Sequence, residues 1–216
     1  MGLCWNVTSP PTCLEGDRCP VNLENLYHEA TSLSTAMYAR SFLLIRDFKK
    51  QFSRSPSFFK PAMKTCHTFI IRTPAGRREA KQMQNKDIID MVLRLLHSWN
   101  EPLRYLTQEA KHLPKFNHSL TLQAEIIAEE NYELQDITSE IASKYDTEIA
   151  ENVDYALWPG LQVFKSFEEP TRLFTFYNTL HCLFGDAGRI SILLQHLKCQ
   201  ESTEENCKLS ICSFHF

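Results

Sequence analysis

The side chains best suited to redox or metal chemistry are eight cysteines, Cys4, Cys13, Cys19, Cys66, Cys182, Cys199, Cys207 and Cys212. Structural zinc favours ligand pairs about two to four residues apart. Only Cys207 and Cys212 come near that spacing, so disulfides are the expected chemistry, and eight thiols leave many pairings open. The histidines, His28, His67, His97, His112, His118, His181, His196 and His215, offer no pair four residues apart to grip a metal and are expected mostly at the surface or an interface. Catalytic signatures are missing as well. There is no GxSxG elbow, no HExxH, no GxxxxGK[ST] phosphate loop and no GxGxxG after a strand. The acidic run Glu125, Glu129, Glu130, Glu133 and Asp136 lacks the Glu-x-x-His partners of a di-iron core and reads as a solvated helix face. No enzyme activity, cofactor or metal is expected.

Two triplets, Asn6-Val7-Thr8 and Asn117-His118-Ser119, fit N-glycosylation acceptors in surface loops of a secreted protein. The stretch from Met1 to Pro11 has neither the basic start nor the apolar run of a signal peptide, so the expectation is a signal omitted or already removed. Myristoylation at Gly2 is not expected, because Asn6 stands where Ser or Thr is wanted.

These residues must be positioned by helices. The chain has 216 residues, 43% of them hydrophobic, enough for one core of ordinary size. Six glycines fall well below the average share of about 7%, too few for the turns of a sandwich or the phosphate loops of a nucleotide-binding fold. A balance of 23 basic and 26 acidic side chains argues against a nucleic-acid partner, and no apolar run reaches the roughly 18 residues of a membrane span.

Residues 1–21, with Pro10, Pro11 and Pro20, form an irregular arm. Leu23, Leu26, Ala30, Leu33, Met37, Leu44, Ile45, Phe48 and Phe52 then recur at helical spacing and predict a first long helix. Pro56, Pro61 and Pro74 make residues 53–76 a long crossover. A second helix begins near Met83 and runs through Leu106, kinked by Pro102, and after a short link at 111–119 a third spans Leu120 to Ile141. Residues 146–168 read as a second long crossover. Ser166 with Glu169 resembles a capping box, and Pro170 suits the first turn of a fourth helix carrying Leu173, Phe176, Tyr177, Leu180, Leu183, Ile190, Leu194 and Leu197. Long links between helices one and two and between three and four, with a short one between, predict an all-α, up-up-down-down four-helix bundle at 22–200, followed by a tail at 201–216.

Local text around the cysteines is more specific: Cys66-His67-Thr68, Gln82-Met83, Ser98-Trp99-Asn100-Glu101-Pro102, Leu180-His181-Cys182-Leu183 and Leu197-Lys198-Cys199. In these the chain resembles the prolactin family, of the prolactin and growth hormone class, over residues 13 to 207. The resemblance implies that Cys13 pairs with Cys19, Cys66 with Cys182 and Cys199 with Cys207, leaving Cys4 and Cys212 outside the framework. It further implies a secreted, monomeric ligand, without catalysis, that presents two surfaces of one bundle to single-pass cytokine-class receptors. Pro74, Arg77, Tyr177, His181 and Arg189 match its first receptor-binding surface.

The chain also departs from that family. Thr35, Gly188 and Ser191 stand where histidines and an acid are usual, and Phe184-Gly185 replaces a basic pair, so a zinc-assisted or proton-sensitive contact is not expected. Ile137 occupies the place of a small glycine on the third helix, where its volume is expected to obstruct a second receptor. Two other functions compete: a non-signalling binding or decoy ligand of the same fold, and an intracellular helical zinc protein or enzyme with reduced cysteines.

Overall fold

The computed structural model describes residues 22–52, 65–110, 118–159 and 169–201, and the regular structure among them is helical throughout. Asn22 caps the first helix, α1 (Leu23–Phe52), by accepting the Glu24 N–H on its side-chain oxygen at 3.0 Å. Leu26, Ala30, Met37, Leu44 and Phe48 bury one stripe of it. Each large apolar side chain so removed from water contributes about 1.5–3 kcal/mol. The two gaps in that stripe are Ser34 and Ser41, both fully buried, whose hydroxyls donate to the carbonyls of Thr31 and Tyr38 one turn back.

Three more long elements complete the bundle. The second rod is split into α3 (Asn85–Ser98) and α4 (Asn100–Ala110), the third is α5 (His118–Ser143), and the fourth is α7 (Glu169–Glu201). Pro170 falls in the first turn of α7, where a missing N–H costs nothing, whereas Ser166 lies outside the described residues. Short helices α2 (Arg77–Ala80) and α6 (Thr147–Glu151) and a single 3-10 turn at His67–Ile70 lie in the crossovers. None of these three was expected. The Asp146 side chain caps α6 by accepting the Glu148 N–H, a signal present in the sequence but attached to too few residues for periodicity to register.

Side-chain pairs set the directions. The start of α1 meets the far end of α5 through Tyr27 and Tyr145, and their middles meet through Arg40 and Glu130. Along α7 the pairs are His28 with Lys198, Thr35 with Ser191, and Phe48 with Tyr177, so α1 is antiparallel to both α5 and α7. Asn85 with Glu201 and Trp99 with Asp186 make α3 antiparallel to α7 as well. Helices α1 and α3 therefore run one way and α5 and α7 the other, the up-up-down-down order that the link lengths predict.

The second rod is buried over most of its circumference, since Ile88, Ile89, Met91, Val92, Leu93, Leu95 and Leu96 are all in the core. Its break falls at Trp99, three residues before Pro102. A proline at 102 cannot donate to the carbonyl of Ser98 and its ring crowds that carbonyl, so the ladder opens there. The second crossover is laid against α3 by two side chains one turn apart. Arg94 donates to the Asp154 carbonyl at 2.6 Å, and the Ser98 hydroxyl accepts the Ala156 N–H at 2.9 Å.

A methyl group built at Gly185, inside α7, meets no neighbouring element within 4 Å. Glycine in a helix interior is less favourable than alanine by about 0.8–1.0 kcal/mol. Gly185→Ala should raise stability by about 0.5–1 kcal/mol, read as a higher urea midpoint in far-ultraviolet circular dichroism. A lowered midpoint would refute the assignment of this position to open helix surface.

Candidate functional site

The first crossover is joined to α7 by the disulfide between Cys66 and Cys182, with the Cα atoms 5.6 Å apart. Cys199 is disulfide-bonded too, while Cys4, Cys13, Cys19, Cys207 and Cys212 and the acceptors Asn6 and Asn117 lie outside the described residues.

Next to this bridge lies a polar knot. Asp186, 1% exposed, accepts on one carboxylate oxygen from the Thr68 hydroxyl at 2.6 Å and the Trp99 indole N–H at 2.9 Å, and on the other from the Arg189 guanidinium at 2.9 Å. Its donors thus come from the crossover, the break in the second rod and α7 itself. Burial pushes the Asp186 carboxyl above the usual aspartate range, against the pull of the Thr68 hydrogen bond, the Arg189 charge and the Trp99 N–H. The Ser98 carbonyl that Pro102 leaves without a helical donor is taken by His67, whose Nε2 donates at 3.0 Å. On the other side of the break the Leu96 carbonyl accepts from Asn131 at 3.2 Å, within a network that joins Asn131 and Gln135 of α5 to Asn100. Two carbonyls beside the break thus accept side-chain donors from two different elements, the Leu96 carbonyl in addition to the Trp99 N–H at 3.1 Å.

Burial also lowers the His67 pKa below its ordinary 6.5, with the Ser98 carbonyl and Asp186 pulling the other way. The folded protein thus favours the neutral ring. Stability from this group is complete above about 6.5 and declines as pH falls through that value toward the lower folded one, by at most about 1.4 kcal/mol per pH unit. In His67→Gln an amide keeps the hydrogen bond but cannot titrate. Between pH 7.5 and 5.5 the urea midpoint of the parent should fall more steeply than that of the variant; parallel curves would exclude His67 as the source.

On the side of α7 facing α1, the residues expected to form one surface take different roles. Tyr177 is 7% exposed, sits against Phe48 and has the Lys49 ammonium 5.4 Å from its ring centre, so it underlies the surface. His181, one turn on, is exposed and edges toward Tyr177; desolvation and then the Lys49 charge lower its pKa. Arg189 is engaged with Asp186 but keeps 38% of its side chain exposed. Pro74 is half-buried in the crossover, and Arg77 opens α2, its side chain lying outside the described part.

Gly188 allows close approach, because a Cβ there would stand 3.1 Å from the Tyr38 ring. That ring stacks on Phe184 at 5.0 Å, and Phe42, 49% exposed, lies 5.8 Å from Phe184. Tyr38 and Phe42 are one turn apart on α1. Together with Phe184 they form an aromatic ledge across α1 and α7 that helical periodicity alone does not reveal.

One expectation needs correction. Glu130 does not belong to a solvated acidic face: at 7% exposure it is buried and accepts from Arg40 at 2.7 Å. It lies three residues after Ile127 and four before Leu134, the spacing of the buried stripe rather than of the surface. Ile137, expected to obstruct a second receptor, is 8% exposed and packs in the core cluster. His196, at 5% exposure, is also interior.

Among the described residues no group of three or more His, Cys, Asp or Glu is placed to hold a metal ion, and no helix is long and apolar enough to cross a membrane. A family model, the somatotropin hormone family, matches residues 2–207. With the antiparallel register of its four rods, its two crossovers and the bridge between Cys66 and Cys182, the chain belongs to the somatotropin hormone family, the class of the prolactins and growth hormones.

Proposed function

We propose that this protein is a secreted, monomeric, prolactin-like ligand of a single-pass cytokine-class receptor and acts by binding alone. The observation that carries this reading is apolar surface left outside the bundle around one helix pair: Phe42 and Leu43 of α1, 49% and 36% exposed, beside the ledge of Tyr38 and Phe184. Aromatic side chains held by packing lose little freedom on binding and are the residue types that dominate interface energies. His181 and Arg189 keep polar and basic surface exposed on α7, and together with Pro74, Arg77 and Tyr177 they belong to the proposed receptor-binding face. The bridge between Cys66 and Cys182 fits an oxidising compartment and disfavours an intracellular zinc protein with reduced thiols. Further bridges between Cys13 and Cys19 and between Cys199 and Cys207, and glycans at Asn6 and Asn117, belong to the same proposal.

The test is capture of disulfide-intact, full-length protein on immobilised ectodomains of the cytokine-receptor class, followed by receptor dimerisation on cells. Saturable binding with dimerisation supports a hormone. Binding without dimerisation makes the protein a decoy of the same fold, and absence of binding across the class at micromolar concentration overturns the reading.

A further inference from the structure

The start of α1 and the end of α7 lie side by side at one end of the bundle. The Lys198 ammonium donates to His28 Nδ1 at 2.9 Å, and one groove of about 540 Å³ is lined by both Asn22, which precedes α1, and Glu201, which ends α7. Tyr145 of α5 and Asn85 of α3 reach the same point, each donating to the Glu201 carboxylate at 2.7 Å. All of these contacts are exposed, and exposed polar pairs hold helix ends weakly. The bridge at Cys182 is remote from them, roughly 28 Å along α7 from Glu201 at a rise of about 1.5 Å per residue.

The arm at 1–21 and the tail at 202–216 thus leave the bundle from neighbouring points. With Cys66 and Cys182 bridged, and with Cys13, Cys19, Cys199 and Cys207 taken by the pairings proposed above, two of the eight cysteines remain: Cys4 in the arm and Cys212 in the tail. Cys199, near the end of α7, is disulfide-bonded, and a partner at Cys207 leaves Cys212 only five residues further on. Cys19 stands three residues before Asn22, and a bridge from it to Cys13 leaves Cys4 nine residues beyond. At about 3.3–3.6 Å per residue the two leashes extend to roughly 18 and 40 Å, enough to meet. Groups on leashes this short from adjacent points face each other at an effective concentration of about a millimolar, far above that of a thiol on another protein molecule in solution.

We propose that Cys4 and Cys212 form a disulfide that ties the arm to the tail and clamps the start of α1 to the end of α7. This rests on the secreted reading above and on its pairings. The oxidant is a protein disulfide of the thiol-oxidoreductase class in the secretory compartment. The Cys4 thiolate attacks one of its sulfurs and breaks that S–S bond. The Cys212 thiolate then attacks the mixed disulfide, the bond between Cys4 and Cys212 forms, and the oxidant leaves as a dithiol with the two electrons and the two protons.

The experiment maps full-length protein from a secretory host, alkylated without reductant and cut with trypsin and chymotrypsin, the second enzyme separating Cys4 from Cys13 after Trp5. A linked pair of the peptides holding Cys4 and Cys212 is expected, and it should vanish on reduction. In the variant with Cys4→Ser and Cys212→Ser, amides at 23–28 and 196–201 should exchange at least threefold faster while those in the middle of α3 are unchanged. Alkylated Cys4 and Cys212 beside an intact bridge between Cys66 and Cys182, or either cysteine joined to another partner, would overturn this inference and leave the secreted reading standing. A linked pair whose removal leaves exchange at both helix ends unchanged would overturn the clamping role. Alkylation of all eight cysteines would overturn the secreted reading and the proposed bridge with it.

Discussion

Replacing Cys66 and Cys182 together by alanine should lower the stability of the folded protein by about 4–5 kcal/mol. The bridge closes a loop with a sequence separation of 116 residues, and the entropy withdrawn from the unfolded chain grows with the logarithm of that length. It also removes the covalent tie between the first crossover and α7. Urea unfolding of the double variant against the oxidised parent checks the magnitude. A loss below about 1 kcal/mol would mean that the unfolded chain is already restrained in this region.

Asp186→Ala should cost about 3–5 kcal/mol. The variant leaves the Thr68 hydroxyl and the Trp99 N–H without an acceptor and the Arg189 charge without its partner. Each buried donor left unmade costs about 1–3 kcal/mol, and breaking a buried charged pair falls in the upper part of the range for single substitutions. Arg40→Ala makes the useful contrast. It strands Glu130, whose carboxyl burial already pushes up against the pull of Arg40, but the arginine side chain removed is 42% exposed. About 1 kcal/mol is expected there. Calorimetric or urea unfolding of both variants at pH 7 orders them; equal losses would show that the Asp186 knot holds no more than the half-exposed pair of Arg40 and Glu130. Because Asp186 and the bridge hold the same turn, losses from combining their variants should not add.

The helices themselves are legible along the chain because their signal is local. Leu26, Ala30, Met37, Leu44 and Phe48 repeat at the pitch of α1, and Phe176, Leu180, Leu183, Ile190, Leu194 and Leu197 do the same for α7. Lengths of the links carry the direction of each rod, since only a long crossover can return a chain to the end from which a parallel helix must start. Pro102 likewise announces a break, although its place at Trp99 follows from which carbonyl the ring disables. The bridge between Cys66 and Cys182 was implied by resemblance to a family, not by spacing.

Short elements escape this kind of reading. The turn at His67–Ile70 and helices α2 and α6 span too few residues for a period to emerge. The polar interior escapes for a different reason. Glu130, Asn131, Gln135 and Asp186 look like surface residues by type, yet each is buried because a donor or acceptor far along the chain meets it.

By itself the sequence determined the helix-forming segments and their amphipathic faces, which depend on neighbours within one or two turns, and the order in which they run, which depends on the lengths of the links. Only the tertiary structure decided which carboxylates are interior, where Ile137 points and which aromatic rings meet across α1 and α7. Those outcomes depend on atoms 90 to 156 residues apart being brought within hydrogen-bonding or van der Waals reach, as for Arg40 with Glu130 and Thr35 with Ser191.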